Sequence, residues 1–117
     1  MSFYKAPTDS IIIKHLKILQ TATFLQPLID KLKEISIKII LYGSCATGKN
    51  HSQSDIDIFI ITQYPDKAEK IIFKDSLREK IQYVIKTPNE LIKTKKNNPV
   101  FYEELERGIL LWEEKRT

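Results

Sequence analysis

The run Tyr42-Gly43-Ser44, followed after ten residues by Asp55-Ile56-Asp57-Ile58, gathers residue types that handle phosphates and divalent cations. Gly43 has no side chain, so the backbone there can turn sharply and approach a ligand closely. Ser44 offers a hydroxyl, and the N–H groups that follow it can hold a phosphate oxygen. Two aspartates at i and i+2 of a strand project to the same side. Carboxylates that close repel one another unless a cation lies between them. Hard oxygen donors of this kind suit Mg²⁺, which keeps several waters and completes its shell with substrate phosphates. A pair of such ions, roughly 3.5–4 Å apart, can activate a hydroxyl and stabilise a departing pyrophosphate. The chemistry these residues describe is metal-assisted phosphoryl or nucleotidyl transfer.

The elements that would position this group can be read from the flanking pattern. Ser36–Tyr42 (SIKIILY) is short and rich in β-branched residues, which predicts a buried strand ending at Gly43-Ser44. Residues 55–62 (DIDIFIIT) predict a second strand with Asp55 and Asp57 on one face, after a polar, turn-forming connection. Upstream, Thr8-Asp9-Ser10 offers capping oxygens to a helix carrying Ile11, Ile12, Ile13, Leu16 and Leu19. Phe24, Leu28, Leu32 and Ile35 predict a second helix, with Pro27 near its start. Tyr64-Pro65-Asp66 precedes a helix over residues 67–80, and Ile81–Lys86 reads as a third strand. Pro88 opens one more helix and Asn98-Pro99 a last one, stopped at Gly108. Ile109 to Trp112 is a terminal apolar segment, strand or helix. The order α, α, β, β, α, β, α, α predicts an α+β fold, a small mixed sheet flanked by helices.

Composition sets the frame. With 117 residues, 42% hydrophobic and 29% charged, the chain predicts one folded domain over residues 1–117, with a helical part at 1–34 and a core at 35–114. One cysteine, Cys45, excludes an intramolecular disulfide and suits a reducing compartment. Met1 to Ser10 lacks the basic and apolar regions of a signal peptide, and no apolar run approaches the ~20 residues of a membrane span. The expected location is the cytoplasm. The net charge of +4 is compatible with a phosphate-rich ligand without requiring one. Residues 67–96 hold nine basic and four acidic residues, but their two aromatics, Phe73 and Tyr83, are not interleaved with the lysines as a base-stacking platform would want.

At Tyr42-Gly43-Ser44 and Asp55-Ile56-Asp57-Ile58 the sequence resembles the DNA polymerase β nucleotidyltransferase superfamily. Its length points to the minimal nucleotidyltransferase (MNT) branch, whose members often pair with HEPN proteins as antitoxins. The likeness continues through Gln82 to Leu91, Asn98-Pro99 and Glu103 to Trp112, covering about residues 35–114. The resemblance implies a nucleotidyltransferase-like fold and transfer of an NMP from an NTP, ATP by expectation, to a hydroxyl acceptor. It further implies that Asp55 and Asp57 are catalytic and ligate Mg²⁺ or Mn²⁺, and that Gly43 and Ser44 contact the nucleotide phosphates. Where the family supplies a third carboxylate this chain has Gln82, an amide that can coordinate through oxygen but cannot act as a base. Where it often has arginines after Gly-Ser, Lys49 is the candidate phosphate ligand, a point charge without the bidentate fork.

Two readings therefore stand side by side. One is an enzyme whose acceptor is a HEPN toxin side chain, an RNA 3′ end or a small molecule. The other is a weak or inactive module that neutralises a HEPN-like partner by contact, a reading that Gln82 favours. Cys45 reads as a small buried thiol, because no His-Asp relay surrounds it. His51 reads as an exposed loop residue and His15 as a structural or surface residue of a helix. Phe101, Tyr102 and Trp112 read as core or partner contacts, and the apolar C-terminal segment as a surface where two copies could meet.

Overall fold

The β-branched segments do form the sheet, and the helices between them cover both of its faces. The computed structural model describes residues 11–48 and 55–115. In chain order it holds α1 (Ile11–Leu32), β1 (Ser36–Tyr42), α2 (Ser44–Thr47), β2 (Ile56–Thr62), α3 (Pro65–Phe73), β3 (Ile81–Lys86), α4 (Pro88–Asn97), α5 (Pro99–Glu106) and β4 (Ile109–Glu113). A 3₁₀ turn, Arg78–Lys80, leads into β3. The sheet order is β3-β2-β1-β4, with β1 antiparallel to β2 and β4, and β2 parallel to β3. This is the α+β architecture with a small mixed sheet. Among the described residues no helix is long and apolar enough to cross a membrane.

Strand periodicity divides the sheet into two faces. Ile39 and Leu41 of β1 join Ile56, Ile58 and Ile60 of β2 on one face, where Leu25, Leu28 and Leu32 of α1 and Ala68 and Ile72 of α3 pack over them. Burying each of those α1 leucines contributes about 1.5–3 kcal/mol. Tyr42, Phe59 and Ile61 point to the other face, covered by Phe101 and Leu105 of α5 and Leu91 of α4. The rings of Tyr42 and Phe59 meet Phe101 edge-on, with centroids 5.6 and 5.9 Å apart. Phe101 is thus core, half-buried at the α5 face.

Two readings of the sequence need correction. The two N-terminal helices are one helix of 22 residues, with Pro27 inside it. Leu25, Leu28, Ile29 and Leu32 straddle the proline and are all buried on the sheet, and this packing outweighs the hydrogen bond that Pro27 cannot donate. The helix placed at residues 67–80 ends at Phe73. Asp75 stops it by accepting from the Leu77 N–H (2.9 Å) and from Lys31 Nζ (2.9 Å) of α1. Of the two alternatives left for the terminal apolar segment, strand holds: it is β4, paired with the free side of β1. The proposed cap at Thr8-Asp9-Ser10 lies outside the described residues.

Candidate functional site

Sheet register assembles the site. Tyr42, the last residue of β1, lies opposite Asp57 of β2, and Asp57 lies opposite Gln82 of β3. These three residues form a row across the end of the sheet. Asp55 precedes β2 by one residue and keeps the parity of Asp57, so both carboxylates fall on the α5 side. The row explains why Gly43 is glycine. Its φ of +74° with ψ of −155° is a conformation that residues with a Cβ rarely adopt. A Cβ there would also stand 2.5 Å from Asp57 Oδ2. The Asp57 carboxylate is therefore seated against the bare backbone of the turn.

From that turn the chain enters α2, a single turn of helix that buries Cys45 and Ala46 in the core and leaves Ser44 exposed. Thr47 Oγ1 donates to the Ser44 carbonyl at 3.0 Å. Burial pushes the Cys45 thiol up, with the Asp57 charge adding to it, which keeps it a protonated packing group. Lys49 and His51 lie outside the described residues.

The acidic residues crowd one another. Burial raises the Asp57 carboxyl above its ordinary value, and the charges of Asp55 and Glu104 raise it further. Burial likewise pushes the Tyr42 phenol up to about 12, helped by Asp57 and Glu104, so it stays a neutral hydrogen-bond donor. Gln82 answers part of this charge by donating from Nε2 to Asp55 Oδ2 at 2.8 Å. Among the described residues no three His, Cys, Asp or Glu side chains meet in a ligating arrangement. Two carboxylates held together at a cost, with an amide beside them, fit a divalent cation whose remaining ligands come from water and substrate. Asp55 and Asp57 are the residues that could hold it. Gln82 could contribute its amide oxygen by turning its side chain over.

Glu104 and Arg107 escaped the motif reading. Both come from the end of α5, and both line a cleft of about 310 Å³ shared with Gly43, Ser44, Thr47 and Gly108. A signal for Glu104 was present in the sequence. It lies one turn after Phe101 and beside Leu105, both inward-facing, and a carboxylate on an inward stripe needs a partner. Arg107 follows from Gly108, where a Cβ would stand 2.6 Å from the Leu41 carbonyl oxygen. That close approach presses the end of α5 onto β1, two residues before Gly43.

A sequence profile of polymerase β nucleotidyltransferases matches residues 25–117. The chain belongs to the polymerase β nucleotidyltransferase family. The match begins inside α1 and spans the whole sheet, so this nucleotidyltransferase domain includes the Gly43-Ser44 turn and the two strand aspartates. Family membership supports nucleotidyl transfer as its general function. A crystal structure of a candidate nucleotidyltransferase from Sulfolobus solfataricus shares the fold. It aligns over 97% of this chain and 94% of its own, with a TM-score of 0.50 at 13% identity. No curated protein matches the sequence significantly.

Proposed function

We propose that this nucleotidyltransferase moves an NMP from an NTP, with ATP the expected donor, to a hydroxyl acceptor, using Mg²⁺ or Mn²⁺ held by Asp55 and Asp57. The observation that carries this reading is the seating of Asp57 against the Gly43 turn, which sets the aspartate pair beside Ser44. The bound cation would neutralise the phosphates and lower the pKa of the attacking hydroxyl. Gly43 leaves the turn bare so that a phosphate can approach it, and the exposed Ser44 hydroxyl can donate to a phosphate oxygen. In the reaction the acceptor oxygen bonds to the α-phosphorus and the α–β anhydride bond breaks, releasing pyrophosphate. The hydroxyl proton goes to solvent, because Gln82 stands where a carboxylate base would be and cannot accept it.

For the acceptor, we infer a side-chain hydroxyl of a HEPN toxin, as the resemblance to the MNT branch implies; an RNA 3′ end remains the alternative hydroxyl. The test is direct. Purified protein with Mg²⁺ or Mn²⁺ and each α-labelled NTP is incubated with lysate of the source organism, beside the Asp55→Ala/Asp57→Ala variant. Label transferred by the wild type alone supports the reading, and the labelled band gives the acceptor class. No label from any NTP, under conditions where an active relative transfers it, overturns it.

A second reading has its own support. Gln82 Nε2 already occupies Asp55 Oδ2, and a separate open groove of about 1040 Å³ runs along β4 and α4, past Leu91, Ile92, Leu110 and Trp112. A module that neutralises a HEPN-like partner by contact would use such a groove and leave the aspartates idle. An Asp57→Ala variant that neutralises that partner as well as wild type does would decide for this reading.

A further inference from the structure

We infer that Arg107 is a triphosphate-binding residue of this site, reaching it from the end of α5 rather than from the Gly-Ser motif. The inference rests on the nucleotidyltransferase reading above and assigns the cation that grips the leaving pyrophosphate. Three observations carry it.

The first is placement. Arg107 and Ser44 line the same cleft, which also takes in Gly43, the residue against which the Asp57 carboxylate is seated. A nucleotide whose α-phosphate lies at the aspartate pair would extend its β- and γ-phosphates past Gly43 and Ser44 into that cleft. Its volume, about 310 Å³, stands at the small end of ligand pockets and is enough for a phosphate chain.

The second is availability. Arg107 is exposed and, among the described residues, enters no ion pair; the pairs present join Lys31 to Asp75, Lys33 to Asp30 and Lys38 to Glu113. Its backbone is tied into the helix end, and its guanidinium has no ion pair among the described residues. The Arg107 N–H caps α5 by donating to the Glu103 and Leu105 carbonyls. The guanidinium fork is left to bind phosphate oxygens in pairs, the geometry that arginine offers and lysine does not.

The third is polarity. Glu104 and Arg107 are three residues apart on α5, and they divide the cleft by charge. Glu104 lines the cleft and lies near enough to Asp57 for its charge to raise that carboxyl, so it belongs to the acidic end where a divalent cation would fit. Arg107 is the one basic group among the residues lining the cleft. An anionic chain bound at one end through a cation and at the other through a guanidinium matches this division. A lone phosphate or a nucleoside monophosphate would engage only part of it.

The experiment compares calorimetric binding of α,β-methylene-ATP and of AMP, each with Mg²⁺, to the full chain and its Arg107→Ala and Arg107→Lys variants. Circular dichroism melts confirm that each variant is folded. Losing a charge-assisted, bidentate contact should weaken the triphosphate analogue by about tenfold or more. AMP affinity should change by less than about twofold, and Arg107→Lys should recover only part of the loss. Equal weakening of both ligands would overturn the inference, because a merely structural arginine does not sense phosphate number. So would a triphosphate affinity unchanged in Arg107→Ala while the wild type binds. Should the wild type bind neither nucleotide with Mg²⁺, the nucleotidyltransferase reading falls, and this inference falls with it.

Discussion

Gln82 donates its amide hydrogen to Asp55 Oδ2 at 2.8 Å although its register partner across the parallel β2–β3 pair is Asp57. The amide thus bridges diagonally to the outer aspartate and leaves the inner one to Gly43. It tempers the repulsion between the carboxylates without adding to it. A carboxylate at the same position would do the opposite in the absence of a cation and would help once one binds.

Gln82→Asp should accordingly lower the melting temperature without metal and raise the response to Mg²⁺. The transfer rate should increase by about tenfold or more, since charge placed where the transition state develops acts strongly in a preorganised site. Melting curves across a Mg²⁺ titration and initial rates of label transfer check both halves. An unchanged rate would mean that another group already fills the role.

Asp57→Asn should abolish transfer while stabilising the metal-free protein. The folded-state pKa of Asp57 is raised, chiefly by burial and then by Asp55 and Glu104. A raised carboxylate pKa means that the protonated form is favoured in the fold. That favourable term is complete below the unfolded value of about 3.9 and is lost as pH rises through the folded value. At neutral pH the ionised wild type therefore bears a cost that asparagine avoids. The gain in melting temperature should be a few degrees at pH 7 and shrink toward pH 4, and Mg²⁺ should stabilise the wild type but not the variant.

Much of this arrangement was legible in the chain because strand periodicity is short-range. Asp-Ile-Asp at the head of an alternating apolar run fixes both carboxylates on one face, and Gly-Ser after SIKIILY marks the turn that meets them. Ser36–Tyr42 and Ile81–Lys86 appear as strands with the bounds the sequence suggests. Continuity of α1 was not legible, since Pro27 is a local breaking signal overruled by packing of distant strands. Nor was the convergence of Glu104 and Arg107 on Ser44. It depends on α5 folding back over β1, about sixty residues away in sequence, and no local pattern encodes that distance.

Asp75 supplies the acid-sensitive element. It is buried, which by itself would raise its carboxyl, but the Leu77 N–H and the Lys31 ammonium hold it below its ordinary value. A lowered carboxylate pKa contributes stability that is present above the unfolded value and lost as pH falls through the folded one. Stability should therefore drop below about pH 4 more steeply in wild type than in Asp75→Asn. Asp75→Ala should cost about 1–3 kcal/mol at pH 7 by leaving the Leu77 N–H without its acceptor. Lys31→Ala should cost about 1 kcal/mol or less, because the lysine is more than half exposed. Urea unfolding of the three variants at pH 3.5 and pH 7 separates these effects.

The contact between Gly43 and Asp57 can be tested by a double-mutant cycle. Gly43→Ala introduces two penalties. One is backbone strain at φ +74°, roughly 1–3 kcal/mol, which depends only on residue 43. The other is the collision of the new methyl with Asp57 Oδ2, which depends on both residues. Asp57→Ala removes the second and leaves the first. Gly43→Ala should therefore cost less in the Asp57→Ala background than in wild type, with a coupling energy of about 0.5 kcal/mol or more. Denaturant unfolding of the wild type, both single variants and the double variant measures it. Strict additivity would mean that the turn needs glycine for its backbone alone and that Asp57 is not seated against it, which would remove the observation on which the proposed reaction rests.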